Sequence, residues 1–192
     1  MIFMVAFAVS LIPQSTQISP AKPPDYYWQH VEPNEPVPSN AITGGIILEA
    51  DSNDPGLNVF VARKKIKGLN RVGKLYDPVK TGKWLSFFLI DGAEQALANE
   101  SLEVLVSSVP DLMRWMPTSG GVIPRKAVYF SNDAGTRRYI CRGIMKGTPE
   151  KALVVVPGEA TIDLGWCQTF WYTRGIHMEY QVLVKLEGDD TC

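Results

Sequence analysis

Histidine is almost absent from this sequence, and with it most routes to metal-dependent chemistry. Only 2 of the 192 residues are His, and neither His30 nor His177 lies at a zinc-type spacing from a second ligand; His177 is expected in a loop. The sequence also lacks a Gly-x-Ser-x-Gly elbow and a phosphate-binding loop. We therefore predict no metal and no cofactor. A serine or cysteine triad stays open, although nothing in the sequence positions one.

A charge excess of either sign is also missing. The formal net charge is -1 at pH 7, which argues against binding of nucleic acid by a basic surface. Charge is nevertheless uneven along the chain. Residues 28–107 hold 8 Lys and Arg against 10 Asp and Glu, whereas residues 115–185 hold 9 against 5. Solvated surface charge explains this difference most simply, and packing between the two segments or tuning of two sites are the alternatives.

No hydrophobic run is long enough to cross a membrane as a helix. The longest apolar run covers residues 2–12, a length that matches the core of a secretory signal peptide. We predict a signal peptide over residues 1–18, a proline-rich linker over residues 19–27, and secretion. Because a basic start and an obvious cleavage site are missing, a cytoplasmic protein with a buried or extended N-terminal segment is the alternative.

Helical periodicity is absent too. The 16 Gly and 14 Pro separate short runs rich in β-branched and aromatic residues, which are typical of strands. In the first half these runs are residues 44–50, 57–63, 84–90 and 102–108, and comparable runs occur in the second half. The best helix candidate, residues 93–102, is expected to form one turn at most. The pattern predicts an all-β sandwich or barrel-like body.

The chain contains two copies of one pattern. Each copy starts at a tryptophan, Trp28 or Trp115, and continues through [VI]-Pro-x-x-Ala-[IV] to Asp-x-Gly before a short [FY]-[VI]-x-Arg strand. A basic turn containing Gly and a closing [EQ]-Val-Leu-Val strand follow. The copies cover residues 28–107 and 115–185, and residues 109–115 join them. We predict a tandem duplicated antiparallel β-sheet unit packed with pseudo-twofold symmetry, in which a site built by one copy occurs twice.

Cysteine usage is sparse and its meaning depends on this alignment. Cys141 falls where the first copy has Ala62, which favours a small buried thiol. The three cysteines form neither zinc-type pairs nor a disulfide framework. For a secreted protein, one disulfide and one spare thiol among Cys141, Cys167 and Cys192 is the alternative, and the pairing is left open.

The order of these motifs, present in two copies, resembles the DM-nine repeat family, whose members occur in insects, molluscs and flatworms and commonly carry the repeat as a tandem pair. The resemblance covers both copies. It implies a β-rich tandem fold and, as in characterised members, recognition of mannose-type carbohydrate in defence against microbes or parasites. In those members an Asp before the [FY]-Val-x-Arg strand and the Lys of a Pro-Gly-Lys turn contact the sugar. The matching residues here are Asp54 with Lys74, and Asp133 with Lys151.

An aspartate and a lysine suit this chemistry because a hexose presents vicinal hydroxyls. A carboxylate accepts hydrogen bonds from adjacent hydroxyls, and an ammonium group donates to the oxygens that remain. Spacing alone leaves a second interpretation open, since Asp-x-Gly is ordinary turn chemistry and a lysine after glycine is an ordinary loop charge. Arg63 and Arg142, at the end of each strand motif, are predicted to bridge the sheet rather than to orient the aspartates.

Large aromatic residues are predicted to belong mainly to the core, with Trp84 or Trp166 as an alternative platform for a sugar ring. The residues in question are Trp84, Phe87, Phe88, Trp166, Phe170, Trp171 and Tyr172.

The leading hypothesis is a non-catalytic, lectin-like protein that binds glycans or glycoproteins, including microbial ones, through two sites that raise avidity together. The second is a protein-interaction or structural module with the same fold, suggested by Val-Gly-Lys and Pro-Glu-Lys in place of Pro-Gly-Lys. A carbohydrate-active enzyme would need two carboxylates about 5 to 10 Å apart across a cleft. Asp51 and Asp54 are weak candidates for that pair. A homodimer is left open.

Overall fold

A computed structural model describes residues 24–49, 55–77, 83–97, 99–109, 111–133, 136–145 and 151–186. These residues form fourteen β-strands and no α-helix, which confirms the all-β prediction. None of the described segments is a helix with the length and apolar character needed to cross a membrane. The predicted signal peptide lies outside the described residues.

The strands divide equally between the two halves of the chain. The first half contributes β1 (Tyr26–Val31), β2 (Thr43–Glu49), β3 (Leu57–Ile66), β4 (Leu69–Tyr76), β5 (Leu85–Ile90), β6 (Ala93–Ala96) and β7 (Leu102–Ser107). The second half contributes β8 (Met113–Ser119), β9 (Tyr129–Asp133), β10 (Thr136–Met145), β11 (Lys151–Ala160), β12 (Cys167–Trp171), β13 (Thr173–His177) and β14 (Glu179–Lys185).

Both halves pair their strands in the same antiparallel pattern. In the first half β1 pairs with β7, β2 with β3, β3 with β4 and β7, β4 with β5, and β5 with β6. In the second half β8 pairs with β14, β9 with β10, β10 with β11 and β14, β11 with β12, and β12 with β13. The predicted tandem duplication is therefore present strand for strand.

The two halves join through a ladder between β2 and β11, which makes one fourteen-stranded sheet. Here the backbones approach so closely that a Cβ on Gly45 would lie 1.9 Å from the carbonyl oxygen of Val155. On the other side of the junction β9, the counterpart of β2, lies beside β4, the counterpart of β11. Two buried clusters combine both halves, one with Ile47, Val59, Val154, Val156 and Trp171, the other with Val61, Leu105, Val128, Ile140 and Leu183.

The repeated tryptophan and arginine form one cluster in each half. In the first half, Nε and Nη2 of Arg63 donate to the two carboxylate oxygens of Glu103, each at 2.9 Å. The guanidinium carbon lies 4.4 Å from the ring centroid of Trp28. This arrangement joins β3 to β7 and β1, so the arginine bridges the sheet as the sequence predicts.

The second half repeats this cluster with a neutral partner. Nε of Arg142 donates to Oε1 of Gln181 at 2.6 Å, and the guanidinium carbon lies 4.6 Å from the ring centroid of Trp115. Burial lowers the pKa of Arg142. The Trp, the Arg and the [EQ] residue of the repeated motif are therefore in contact with one another and have a structural role in each half.

The prediction of a helical turn over residues 93–102 is wrong. The segment begins with β6, which pairs with β5 across the two-residue turn Asp91-Gly92. Both turn residues have a positive φ, 52° and 83°, the geometry that matches the twist of a tight hairpin. The Asp-Gly turn therefore outweighs the helical propensity of the alanine- and glutamate-rich residues after it.

The prediction of a free buried thiol at Cys141 is also wrong. Cys141 forms a disulfide with Cys167, and both residues are fully buried. The bond joins β10 to β12, the two strands that pair with opposite edges of β11. Cys192 lies outside the described residues.

Three smaller expectations are corrected. His177 lies in β13 rather than in a loop, with Nε2 at 2.6 Å from Oγ1 of Thr169. Tyr172 is 76% exposed because it forms the turn between β12 and β13 with a φ of 57°. Tyr26 and Tyr27, expected in the linker, begin β1.

Candidate functional site

The four residues that the family resemblance singles out lie in different settings. Lys74 lies within β4 rather than in a turn, and it is buried. Lys151 is the first residue of β11 and forms an ion pair with Glu49, with Nζ and Oε1 at 2.5 Å. Asp133 is the last residue of β9, and Asp54 lies outside the described residues. Lys74 is therefore the residue around which a site can be built.

Strand register identifies the equivalent residues of the two halves. Gly73 of β4 lies opposite Ala62, and Gly158 of β11 lies opposite Cys141, the counterpart of Ala62. Gly73 and Gly158 are therefore equivalent. Both positions require glycine. A Cβ on Gly73 would lie 2.5 Å from the carbonyl oxygen of Phe87 in β5, and a Cβ on Gly158 would lie 2.0 Å from the carbonyl oxygen of Gln168 in β12.

It follows that the counterpart of Lys74 is Glu159, whereas the sequence alignment paired Lys74 with Lys151. The error arises because β3 and β4 are joined by a two-residue turn, while the connection between β10 and β11 is longer and Lys151 comes directly after it. The signal that could have corrected it is Pro157-Gly158-Glu159, which matches Val-Gly-Lys in the first copy.

Asp133 is displaced from its expected counterpart in the same way. In β9, Asp133 lies opposite Thr136, and in β2 the equivalent position opposite Leu57 is held by Ile47. By register Asp133 therefore corresponds to Ile47 rather than to Asp54.

Lys74 reaches from the first half into the second. Its Nζ donates a hydrogen bond of 2.7 Å to the carbonyl oxygen of Phe170 and forms an ion pair with Glu94. The same atom lies 4.4 Å from the ring centroid of Trp171 and 5.4 Å from that of Phe87. Burial lowers the pKa of Lys74, and the carboxylate of Glu94 opposes that shift.

Glu94 covers the lysine from the edge of the sheet. One carboxylate oxygen pairs with Lys74, and Oε2 accepts a hydrogen bond of 2.7 Å from the backbone N–H of Tyr172. The contact ties β6 of the first half to the β12–β13 turn of the second. The equivalent position in β13 is Arg174, so the charges of this pair are reversed between the copies. Sequence analysis missed Glu94 because it assigned the segment to a helical turn.

Glu159, the counterpart of Lys74, is also bound by the other half. Its Oε1 accepts a hydrogen bond of 3.2 Å from the backbone N–H of Val72. Its Oε2 lies 2.9 Å from Nη1 of Arg138 and 3.6 Å from Nη1 of Arg71. Burial raises the pKa of Glu159, and the two arginines oppose that rise.

These side chains line one cleft at the junction of the halves. Ten of the twelve lining residues form equivalent pairs, namely Val72 and Pro157, Gly73 and Gly158, Lys74 and Glu159, Phe87 and Gln168, and Leu89 and Phe170. The other two are Phe88 and Glu94 of the first half. The enclosed volume is ≈ 20 Å³, enough for about one water molecule. A hexose can therefore reach Lys74 only if the groups that cover the lysine move.

Two larger grooves lie elsewhere on the surface. One, of ≈ 580 Å³, runs beside Trp115 and Asn40, and the other, of ≈ 420 Å³, beside Arg142 and His177. Neither groove is lined by Lys74 or Lys151. In the part of the chain that the structure describes, no cluster of three or more His, Cys, Asp and Glu residues could hold a metal ion.

Comparison with known proteins shows a related fold. No family model matches the chain, and no curated protein does either. A solved structure, that of the nematode sperm cell motility protein MFP2B, is similar with a TM-score of 0.58 and 14% sequence identity. The match covers 91% of this chain and 51% of the MFP2B chain, so this chain spans about half the length of that one. At this identity the likeness concerns the fold alone.

Proposed function

We propose that the protein binds carbohydrate of the mannose type without catalysis, at the cleft beside Lys74. The proposal is carried by one observation, the meeting of an ammonium group, two carboxylates and aromatic rings in a cleft between the repeats. The resemblance to the DM-nine family supports it, because Lys74 is one of the two lysines that the family motif singles out. By that motif Asp54 is the partner of Lys74 in sugar binding.

The chemistry of the cleft fits a polyhydroxylated ligand. Nζ of Lys74 can donate to ring or hydroxyl oxygens, and a carboxylate can accept from hydroxyls. The partly buried rings of Phe87 and Phe170 line the cleft and offer an apolar surface for the C–H groups of a sugar ring. Such a site distinguishes epimers because its hydrogen bonds require each hydroxyl to point in a particular direction. Its affinity stays modest, since each hydrogen bond to the protein replaces a hydrogen bond to water.

Binding without catalysis is supported by the state of the two carboxylates in the cleft. Glu94 is paired with Lys74, and Glu159 is paired with Arg138. A glycosidase needs one carboxyl group free to donate a proton to the leaving oxygen and another free to attack or to activate water.

A glycan array would test the proposal, using the chain without residues 1–18. We expect signal on mannose-rich glycans, lost at least about tenfold in Lys74→Met because a charge-assisted hydrogen bond disappears. Lys151→Met is the matched control, since it removes a surface ion pair elsewhere, and it should bind as the wild type does. Silence from well-folded wild-type protein, or full binding by Lys74→Met, would refute the proposal.

A variant of the covering residue provides a second test. Glu94→Gln keeps the size of the side chain and an oxygen for the N–H of Tyr172, but weakens its hold on Lys74. Because the sugar must displace this group, we expect Glu94→Gln to bind methyl α-mannoside more tightly than the wild type in isothermal titration calorimetry. Weaker binding would mean that Glu94 itself contacts the sugar.

We further propose that the protein is secreted and acts on microbial glycans in innate immune recognition. The Cys141–Cys167 disulfide supports secretion, because such bonds persist in oxidising compartments. Purification from culture medium of the expressing cells, and mass determination of its N-terminus, would test the signal peptide over residues 1–18.

A second candidate function is protein interaction through β13. Within the described residues β13 pairs only with β12, and it carries an exposed apolar side chain, Ile176, flanked by exposed Tyr172 and Met178. Such an edge suits addition of a strand from a partner, including a second copy of this chain. Sedimentation of the wild type and of Ile176→Asp would decide: a dimer that the variant loses supports this function, and a monomer at all concentrations counts against the homodimer.

A further inference from the structure

The repeated sequence predicts two binding sites, one in each copy, whereas the position of the cleft predicts one. A feature away from a twofold axis occurs once in each copy, whereas a feature on the axis occurs once in total and is built by both copies. The cleft is lined by Gly73 with its equivalent Gly158, and by Lys74 with its equivalent Glu159. Both copies therefore contribute to the same cleft, and the cleft lies on the pseudo-twofold axis.

Charge differs between the two sides of this axis. The first copy places Lys74 on β4 and Glu94 on β6, and the second places Glu159 on β11 and Arg174 on β13. The aromatic ring of Phe87 is replaced by an amide at the equivalent position of β12. A second, symmetry-related mode of binding would thus meet a carboxylate in place of the ammonium group and an amide in place of the ring.

We infer that the chain binds one sugar per molecule in a composite site, in which Lys74 of the first half donates to the sugar and Glu159 of the second half accepts from it. This inference rests on the carbohydrate-binding function proposed above. It goes beyond that proposal in adding Glu159 as a binding residue and in fixing the number of sites at one.

Glu159 has the capacity for this role. A carboxylate offers about four lone-pair positions. The N–H of Val72 and the Nη1 of Arg138 occupy two of them, and Nη1 of Arg71 lies farther away at 3.6 Å. Burial raises the pKa of Glu159, and the two arginines oppose that rise. Vicinal hydroxyls of a hexose can then donate to Glu159 while their oxygens accept from Lys74.

The second predicted pair is not part of the composite site that we infer. Lys151 is held by Glu49 at the far end of the β2–β11 ladder from Gly45. Asp133 corresponds by register to the buried Ile47 of β2. Lys151 does not line the cleft.

Equilibrium dialysis of labelled methyl α-mannoside against the wild-type chain tests the number of sites directly. We expect one sugar per chain. Four variants test the composition of the site. Lys74→Met and Glu159→Gln should each weaken binding about 10- to 100-fold, the effect of one hydrogen bond to a charged group. Asp133→Ala and Lys151→Met should bind as the wild type does.

The outcomes separate this inference from the function on which it rests. Absence of binding by folded wild-type protein would overturn both. Two sugars per chain, loss of binding in Lys151→Met or Asp133→Ala, or wild-type affinity in Glu159→Gln would overturn the composite site and leave carbohydrate binding intact. Thermal unfolding of each variant is the control for folding, and the stoichiometry of the wild type decides the number of sites even if Glu159→Gln fails to fold.

Discussion

Lys74 and Glu159 occupy the same position of the repeated unit and carry opposite charges. Each is bound by the other half, Lys74 by the carbonyl oxygen of Phe170 and Glu159 by the N–H of Val72. Two lysines at this position would bring like charges into one cleft. The reversal of charge therefore favours packing of the first unit on the second over packing of two identical units.

The ion pair between Lys74 and Glu94 should be strongly coupled in stability. Lys74→Met leaves the Glu94 carboxylate, whose side chain is 10% exposed, without its cation, and we expect a loss of about 3 kcal/mol in the free energy of unfolding. The double variant Lys74→Met/Glu94→Gln should lose less than the sum of its parts, with a coupling of about 1 to 3 kcal/mol. Urea unfolding of the four proteins measures the cycle; additive losses would show that the pair does not interact.

The stability of the protein at alkaline pH should depend on the ionisation of Tyr76. Burial, together with nearby Tyr172 and Glu94, raises the pKa of Tyr76 from 10.0 to about 12. Because the folded state binds this proton more tightly than the unfolded state, the stability due to Tyr76 is complete below pH 10 and is lost as the pH rises towards 12. Tyr76→Phe should flatten the decline of stability in this window. Phenolate absorbance should show one tyrosine of the wild type titrating near pH 12, and a missing late component would contradict the prediction.

The Cys141–Cys167 disulfide closes a loop of 26 residues. We expect Cys141→Ala/Cys167→Ala to lower the free energy of unfolding by about 3 kcal/mol, because the unfolded chain regains the entropy that the bond removes. Cys192→Ser is the matched control and should leave stability unchanged. Urea unfolding with and without reductant measures the effect, and equal stability of oxidised and reduced wild type would argue against the bond.

The junction between the halves should be sensitive to one methyl group. In Gly45→Ala the new Cβ would meet the backbone of Val155 at 1.9 Å, so β2 and β11 must separate, at a cost of about 3 kcal/mol or more. Gly44→Ala is the matched control, since its Cβ would meet only side-chain atoms, the nearest being Cγ2 of Val61 at 2.9 Å. Thermal unfolding should show a much larger decrease for Gly45→Ala, and similar decreases would contradict the close approach.

The sequence predicts the strands well where β-branched and aromatic residues form a continuous run. The runs over residues 57–63 and 102–108 lie largely in β3 and β7, because β-branched residues suit a pleated, half-buried surface. β4 is hidden from this reasoning, since Asn70, Arg71, Gly73 and Lys74 interrupt its apolar pattern. Arg71 and Lys74 are accommodated by contacts with Glu159 and with the carbonyl oxygen of Phe170 in the second half, which no local pattern encodes.

The candidate site is predictable only in part for the same reason. The repeated motif identifies Lys74. Its partner Glu94 lies in β6, a strand whose alanine- and glutamate-rich sequence favours a helix. Glu159 is found only through strand register, because the longer connection before Lys151 shifts the alignment of the two copies. Local sequence can indicate which residues are special, whereas the pairing of strands decides which residues meet.

The β2–β11 ladder means that each copy completes the sheet of the other. A single copy cut from the chain would present a long unpaired edge and half of two apolar clusters, a surface prone to aggregation. Neither copy can therefore be shuffled, lost or replaced alone without harm to its neighbour. The pair is therefore the smallest unit that keeps the sheet and the two shared clusters intact.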